Sequence, residues 1–454
     1  KTFENTMADA KHKSLKKTLG AMDLVLLGIG CTIGTGIFVL TGVAAAEHAG
    51  PAISLSYIFA GIACVFAGLA YTELAAAMPV AGGAYTYSYT IIGEFVAWIV
   101  GCGLMLEYTV GASTVAAGWS GYFVGILKSG GIELPVALTQ VPANGGIVNL
   151  PAMFIALFVG SLLIRGTKES IIVNRILVAV KLIVIFLFLI IAAPHIQTER
   201  WTSDFMPFGV DGVITGAATI FFAYIGFDAV ATAAEETKNP NKDLPIGIIG
   251  SLFCCSLLYV LVALALTGIT HYSELGNAEP IAYALRQNGS NLGSAIVATG
   301  AVAGMIAVLL VLMYAQSRIF FVMSRDKLLP KVFSNMHSKF HTPYISCIFV
   351  TVAVALISGF TPIQTLGHMT SFGTLFAFMV AAIAMVIFRI KRPDVERPFK
   401  CPYPYFVATM AVLICGYLVI KLLHVIAAAF FVWIALAVIF YFAYSYRNST
   451  LRDK

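Results

Sequence analysis

Charge is what this chain has least of. Asp, Glu, Lys and Arg make up 11% of its 454 residues, whereas soluble domains carry about 25%. A chain so poor in charge cannot cover its own surface in water. That excludes a soluble multidomain enzyme, and equally a disordered or nucleic-acid-binding protein, both of which run to high charge. The constellations that carry catalysis are missing too. No His, Ser and Asp arrangement and no metal-spaced His or Cys cluster is present, so neither an enzyme nor a cofactor or metal site is expected. Rings of charge and filter repeats are absent, which speaks against a channel. The eight cysteines do not make a disulfide scaffold. Cys31, Cys64, Cys102, Cys254, Cys255, Cys347 and Cys415 lie in or beside apolar runs, where a thiol behaves as a small hydrophobe, and only Cys401 falls in a polar loop. What remains is 59% apolar, with a mean hydropathy of +0.90. This is the composition of an all-α, polytopic membrane protein whose solvent is the lipid bilayer.

Apolar stretches of about 20 residues cross a bilayer as helices. Twelve are predicted, starting near Ala21, Ala52, Ile92, Leu150, Ile171, Gly212, Pro245, Leu292, Pro343, Leu366, Pro404 and Ala427. The run at 21–46 is longer than the roughly 7–15 residues of a signal-peptide core and reads as the first span. Of the 28 Lys and Arg, 23 fall in alternate loops that share a side with both chain ends. The net charge of +6 therefore matters through its position, and both termini are expected on the cytoplasmic side of the cell membrane.

The starts also repeat. Segments 6 to 10 follow segments 1 to 5 at an offset of 191 to 200 residues. Each half has an odd number of crossings, so the second must enter from the opposite face, giving an inverted repeat. The expected organisation is an arm at 1–20, a five-helix repeat at 21–193, its inverted partner at 212–389, two added helices at 404–446 and a tail at 447–454.

In both halves the first helix is interrupted. Segment 1 carries Gly28, Gly30, Gly34 and Gly36, each costing about 1 kcal/mol relative to Ala inside a helix, so unwinding near Gly34–Gly36 is cheap. Segment 6 reads Phe222-Ala223-Tyr224-Ile225-Gly226-Phe227-Asp228 at the matching place. Unwound backbone survives at membrane depth only where protein buries it or where it lines a cavity. A half-helix N-terminus offers free N–H groups to a carboxylate, and a half-helix C-terminus offers carbonyls to an ammonium. Two breaks facing each other would hold an α-amino acid by both ends. Close helix packing of the GxxxG kind is the alternative for segment 1.

The motifs Ile33-Gly34-Thr35-Gly36-Ile37-Phe38, Pro79-Val80-Ala81-Gly82-Gly83-Ala84-Tyr85-Thr86-Tyr87, Glu235-Glu236-Thr237-Lys238-Asn239-Pro240 and Ser324-Arg325-Asp326-Lys327-Leu328-Leu329-Pro330, with Glu47-His48-Ala49-Gly50-Pro51, make the chain recognisable. It resembles the amino acid–polyamine–organocation superfamily of transporters, and within it most resembles the cationic amino acid transporter branch, as a bacterial-type homologue. The resemblance implies a LeuT-type 5+5 inverted repeat with two additional helices, and an amino acid held between segments 1 and 6. It implies that the substrate carboxylate meets N–H groups around Gly34, Thr35, Gly36 and Ile37. The amino group would meet carbonyls of Thr32, Phe222 and Ile225 beside Gly226, with Phe222 as an aromatic gate. Segment 8 would line the side-chain pocket, where Met313 is a candidate, with packing as the alternative for Met305 and Met313.

Ionisable groups at membrane depth are functional candidates by default. Lys181, deep in segment 5, matches the lysine that similar proton-coupled transporters place where sodium-coupled relatives hold an ion. It departs from the mammalian-like cationic transporters, which lack it. Lys181 and Asp228 are the candidates for proton coupling. Glu107, in mid-segment 3, is a candidate to contact substrate or a coupling network, and Glu73 reads as a packing charge. His48 and His368 read as ordinary residues near span ends, and Tyr85, Tyr87 and Tyr89 as an interfacial belt.

The leading expectation is a proton-coupled amino acid symporter working by alternating access, for small neutral or cationic L-amino acids, with the proton as coupling ion. The alternative is a cationic amino acid facilitator or exchanger without proton coupling. A sensor would need a signalling domain beyond these short polar arms. A small single-span membrane protein stays open as a partner, and nucleic acid is not one.

Overall fold

The computed structural model describes residues 18–79, 82–165, 171–232, 237–340 and 342–449. The arm at 1–17, the tail at 450–454 and Val80, Ala81, Glu235 and Glu236 of the motifs lie outside the described residues. Every regular element among those residues is helical, and an isolated bridge joins Leu19 to Thr237. The principal helices are α1 (Ala21–Thr32), α2 (Ile53–Ala77), α3 (Gly83–Ile91), α4 (Glu94–Ser129), α5 (Leu150–Arg165), α6 (Ile171–Ala192) and α7 (Gly209–Ile220). They continue with α8 (Phe227–Thr232), α9 (Pro240–Ile269), α10 (Pro280–Gln287), α11 (Asn291–Arg325), α12 (Tyr344–Phe360) and α13 (Ile363–Lys391). Eight helical stretches among the described residues are long and apolar enough to cross a membrane. Shorter apolar helices accompany them at Ala21–Thr32, Leu150–Arg165, Gly209–Tyr224 and Tyr344–Phe360.

The last two spans are Pro404–Leu423 and Ile426–Asn448. Lys421 pairs with Asp211 at one end of the bundle. Cys401 before it and Tyr441 after it bind Glu73 and Glu94 at the opposite end, so this part of the chain travels the length of the bundle twice.

Lipid offers no hydrogen bonds, so polar groups between the helices must find partners within the protein. Trp98 Nε1 donates to the Ala437 carbonyl at 2.8 Å and Trp433 Nε1 to that of Cys102 at 3.0 Å, fastening the final span to α4. Gln316 Nε2 on α11 donates to the Met105 carbonyl on α4 at 2.9 Å, and Ser56 Oγ on α2 donates to Val213 on α7 at 2.7 Å. Tyr85, Tyr87 and Tyr89 correct the interfacial reading. They lie on α3, which is packed inside the protein, and are at most 3% exposed. Alternation of Tyr in a polar context gave a belt-like signal, but Tyr85 Oη donates to Asp326 at 3.0 Å and the Tyr87 ring packs edge-on to Tyr71 at 5.6 Å.

Glu73 on α2 is fully buried. Arg389 Nε donates to its Oε1 at 2.8 Å and Nη2 to its Oε2 at 2.6 Å, while the Cys401 amide donates to Oε2 at 2.7 Å. The pair clamps α13 and the segment after it to α2. Removing one partner of a buried pair costs about 3–5 kcal/mol, so Arg389→Ala is expected to lower the unfolding temperature of the detergent-solubilised protein. An unchanged Tm would mean that Arg397, 3.5 Å from the same carboxylate, satisfies Glu73 by itself.

Candidate functional site

Both predicted breaks are present. α1 stops at Thr32, Ile33 is extended, and helical structure resumes as a π-turn at Gly36–Leu40. α7 tightens into a 3-10 turn at Phe221–Tyr224, Ile225 is extended, and Gly226 adopts φ +118 before α8 begins. That φ favours glycine. A side chain at Gly226 would also collide with Cys31, its Cβ lying 2.8 Å from the Cys31 carbonyl carbon. The two breaks touch at Gly36, where a Cβ would lie 2.5 Å from both Cα and Cβ of Ala223.

Between them is a cavity of about 10 Å³, room for a single water, lined by Thr32, Gly34, Thr35, Gly36, Phe222 and Ile225 together with Cys31, Val308 and Leu312. Even the smallest amino acid exceeds this space, so the cleft is in a closed form. Ile37, Gly226, Glu107 and Met313 are not in the cavity wall. Ile37 is buried in the π-turn, Gly226 backs onto Cys31, and Met313 is buried beside Leu312 on α11.

The N–H groups of Thr35, Gly36 and Ile37 open a half-helix, where no intrahelical acceptor exists for them. On the other side, Thr32 ends α1, the Phe222 carbonyl accepts from the Ile225 amide at 3.1 Å, and Ile225 follows the 3-10 turn in an extended conformation. The breaks are braced by residues with no local sequence signal. Tyr259 Oη, from α9, lies 3.0 Å from the Thr32 carbonyl and 2.7 Å from that of Ala223, joining the two breaks. Ser371 Oγ on α13 accepts from the Phe222 amide at 2.9 Å. Thr35 Oγ1 donates to Met305 Sδ at 3.3 Å. Thr41 Oγ1 donates to the carbonyls of Gly36 and Ile37 and pairs with Tyr57 Oη at 2.6 Å, compensating the irregular π-turn.

Lys181 is 0% exposed. Its Nζ donates to the Gly30 carbonyl at 2.6 Å, in the last turn of α1, and its stem lies against Gly304 of α11. A lysine at a helix C-terminus meets the negative end of the dipole. Two other buried acids, Asp228 on α8 and Glu107 on α4, lie close to each other. Asp228 Oδ2 accepts from Tyr108 Oη at 2.8 Å and Oδ1 from the Gly226 amide at 3.2 Å. Glu107, adjacent to Tyr108, accepts from Thr374 Oγ1 at 2.8 Å, while its Oε2 has no hydrogen-bond partner among the described residues. Asp228 is thereby tied to the break itself, through the amide of Gly226. His48 and His368 form a ring pair 6.1 Å apart, with His368 Nε2 3.1 Å from Thr219 Oγ1.

Two substitutions follow from this geometry. Gly36→Val is expected to abolish uptake while leaving membrane insertion intact, because its side chain would occupy the Ala223 backbone. Tyr259→Phe, which removes the shared donor to both breaks, is expected to weaken substrate binding by about tenfold, the worth of a hydrogen bond of about 1–1.5 kcal/mol. Wild-type affinity in that variant would show the brace to be dispensable.

The described geometry can be set beside known proteins. A family model described as amino acid permease matches residues 19–444. The chain is 44% identical over 453 residues to the methylthioribose transporter of Bacillus subtilis, covering 99% of this chain and 98% of that one. It is 44% identical over 451 residues to the branched-chain amino acid permease of the same organism, covering 98% and 97%. It is also 38% identical to the vacuolar cationic amino acid transporter 4 of Arabidopsis thaliana, over 85% of this chain and 65% of that protein. With the match spanning nearly the whole chain, the protein belongs to the amino acid permease family and is a transporter, not an enzyme.

Proposed function

We propose that this chain is a secondary active transporter that carries L-amino acids with protons by alternating access, through twelve helices in a LeuT-type 5+5 inverted repeat with two added at the end. The observation that carries the reading is Lys181, wholly buried, with its Nζ on the carbonyl of Gly30. It joins α6 to the broken end of α1 and lies against α11. A protonated amine donates to that carbonyl as a charged group, and loss of the proton weakens the tie between α1 and α6. The proton then biases whether α1 stays closed over the cleft, and a ligand or proton shifts such an equilibrium by its differential affinity for the two states. Asp228, linked by Gly226 to the second break, and its neighbour Glu107 form the other half of the coupling network. The basic loops favour an orientation with both termini in the cytoplasm.

The α-carboxylate meets the N–H groups of Thr35, Gly36 and Ile37, and the α-amino group the carbonyls of Thr32, Phe222 and Ile225, with Phe222 closing over the ligand. The side-chain wall carries Val308, Leu312 and Phe222 and no charge, which favours small neutral amino acids. The branched-chain name of one relative agrees with this, and the cationic name of another marks the wider family. Arginine requires a counter-charge from Glu107 or Asp228, and neither acid is in the cavity wall.

Proteoliposome uptake with an imposed pH gradient tests this. Wild type is expected to concentrate alanine under ΔpH alone. Lys181→Ala should bind alanine within a few-fold of wild type yet lose ΔpH-driven accumulation, and Lys181→Arg, which effectively cannot deprotonate, should hold one state. Equilibration without accumulation in the wild type would identify a facilitator. Accumulation by Lys181→Ala would move the proton path to Glu107 and Asp228.

A further inference from the structure

We infer that Gly111 sets the largest substrate side chain the cleft accepts. The inference rests on the transport reading above and adds the residue that limits side-chain size. Gly111 lies on α4 at its crossing with α13. A methyl group built on it would stand 3.7 Å from Leu312 Cδ1, 3.7 Å from Phe222 Cε2 and 3.2 Å from Thr370 Cγ2. Leu312 and Phe222 both line the cavity between the breaks. The missing side chain of Gly111 is thus the space immediately behind two of the cavity's apolar walls.

An amino acid held by its two charged ends at the breaks must send its side chain toward the remaining wall. That wall is Val308 and Leu312, one helical turn apart on the same face of α11, with the Phe222 ring. When a larger side chain enters, Leu312 and Phe222 must give way, and Gly111 leaves them room to do so. Thr370 does not readily yield on the other side. Its hydroxyl donates to the Leu366 carbonyl at 2.8 Å and lies 3.5 Å from Thr114 Oγ1, which fixes where its methyl points. A carbon added at Gly111 therefore takes the space into which Leu312 and Phe222 would move, with Thr370 on α13 giving by only a small amount. Contacts at 3.7 Å are ordinary van der Waals distances and the one at 3.2 Å needs a shift of a few tenths of an ångström, so alanine is tolerated by the fold. In an apolar pocket one methylene changes discrimination by roughly 10- to 200-fold.

The test is competition binding on the purified full chain with L-alanine and L-leucine. Gly111→Ala is expected to keep alanine affinity within about threefold and to weaken leucine by about tenfold or more. Gly103→Ala serves as the control on the same helix, since its methyl would meet Phe376 at 3.6 Å, outside the cavity, and it should change neither ligand. Equal weakening of both ligands by Gly111→Ala, or no change in either, overturns the inference. Should that variant fail to fold, Thr370→Ser removes the methyl on the other side of the same space and is expected to strengthen leucine relative to alanine. An unchanged ratio overturns the inference. A wild-type chain that binds neither amino acid overturns the transport reading and this inference together. Binding of both ligands with no selective loss in Gly111→Ala overturns this inference alone.

Discussion

Hydrocarbon cannot hydrogen-bond a peptide group, and the two broken helices are shaped by that constraint. Each break exposes amides and carbonyls that would cost several kcal/mol if left unpaired at membrane depth. They are tolerated because they face each other, with Gly36 set against Ala223 and Gly226 against Cys31. Part of their bonding capacity is taken by neighbouring side chains. Tyr259 reaches both breaks, Ser371 accepts from Phe222, and Thr41 doubles back on the π-turn. The capacity left over, at the half-helix N-terminus and the opposing carbonyls, matches the two ends of an amino acid. In the proposed reading, such a site would recognise the part common to all amino acids with backbone and leave the side chain to Val308, Leu312, Phe222 and the space behind them.

The buried charges follow the same logic at a higher energy. Glu73 is paired with a bidentate arginine and a backbone amide, an arrangement suited to clamping. Lys181 and Asp228 are instead bonded to the broken helices themselves, one at the Gly30 carbonyl and the other at the Gly226 amide. Stabilisation of these two charges depends on the geometry of the breaks. Under the proposed mechanism, that dependence would link proton occupancy to the state of the cleft.

Much of this was legible from the chain itself, because its signals are local. Apolar run length marks the spans, clustered glycines mark the first break, and a lysine far from either end of a span stands out. Structure set by a partner distant in sequence leaves no such local signal. Nothing around Tyr259 hints that its hydroxyl joins residues 32 and 223. Tyr85, Tyr87 and Tyr89 have the composition of an interfacial belt yet pack inside, since Asp326, far along the chain, supplies the partner for Tyr85. Depth makes Glu107 a candidate for the substrate or a coupling network, and resemblance makes Met313 a candidate for the side-chain pocket, but neither specifies which way a helix face turns. Glu107 bonds to Thr374, and Met313 is buried next to Leu312, which lines the cavity while Glu107 and Met313 do not.

The account stands most directly on the claim that the paired breaks bind the α-amino and α-carboxyl groups. Titration of the purified protein with L-alanine, N-acetyl-L-alanine and L-alaninamide separates the two ends of the ligand. Saturable binding of alanine, with loss of binding for both blocked analogues, is the predicted result. Binding of either blocked analogue as tightly as alanine would contradict the account, because the carboxylate or the ammonium would then make no contact of consequence at the breaks.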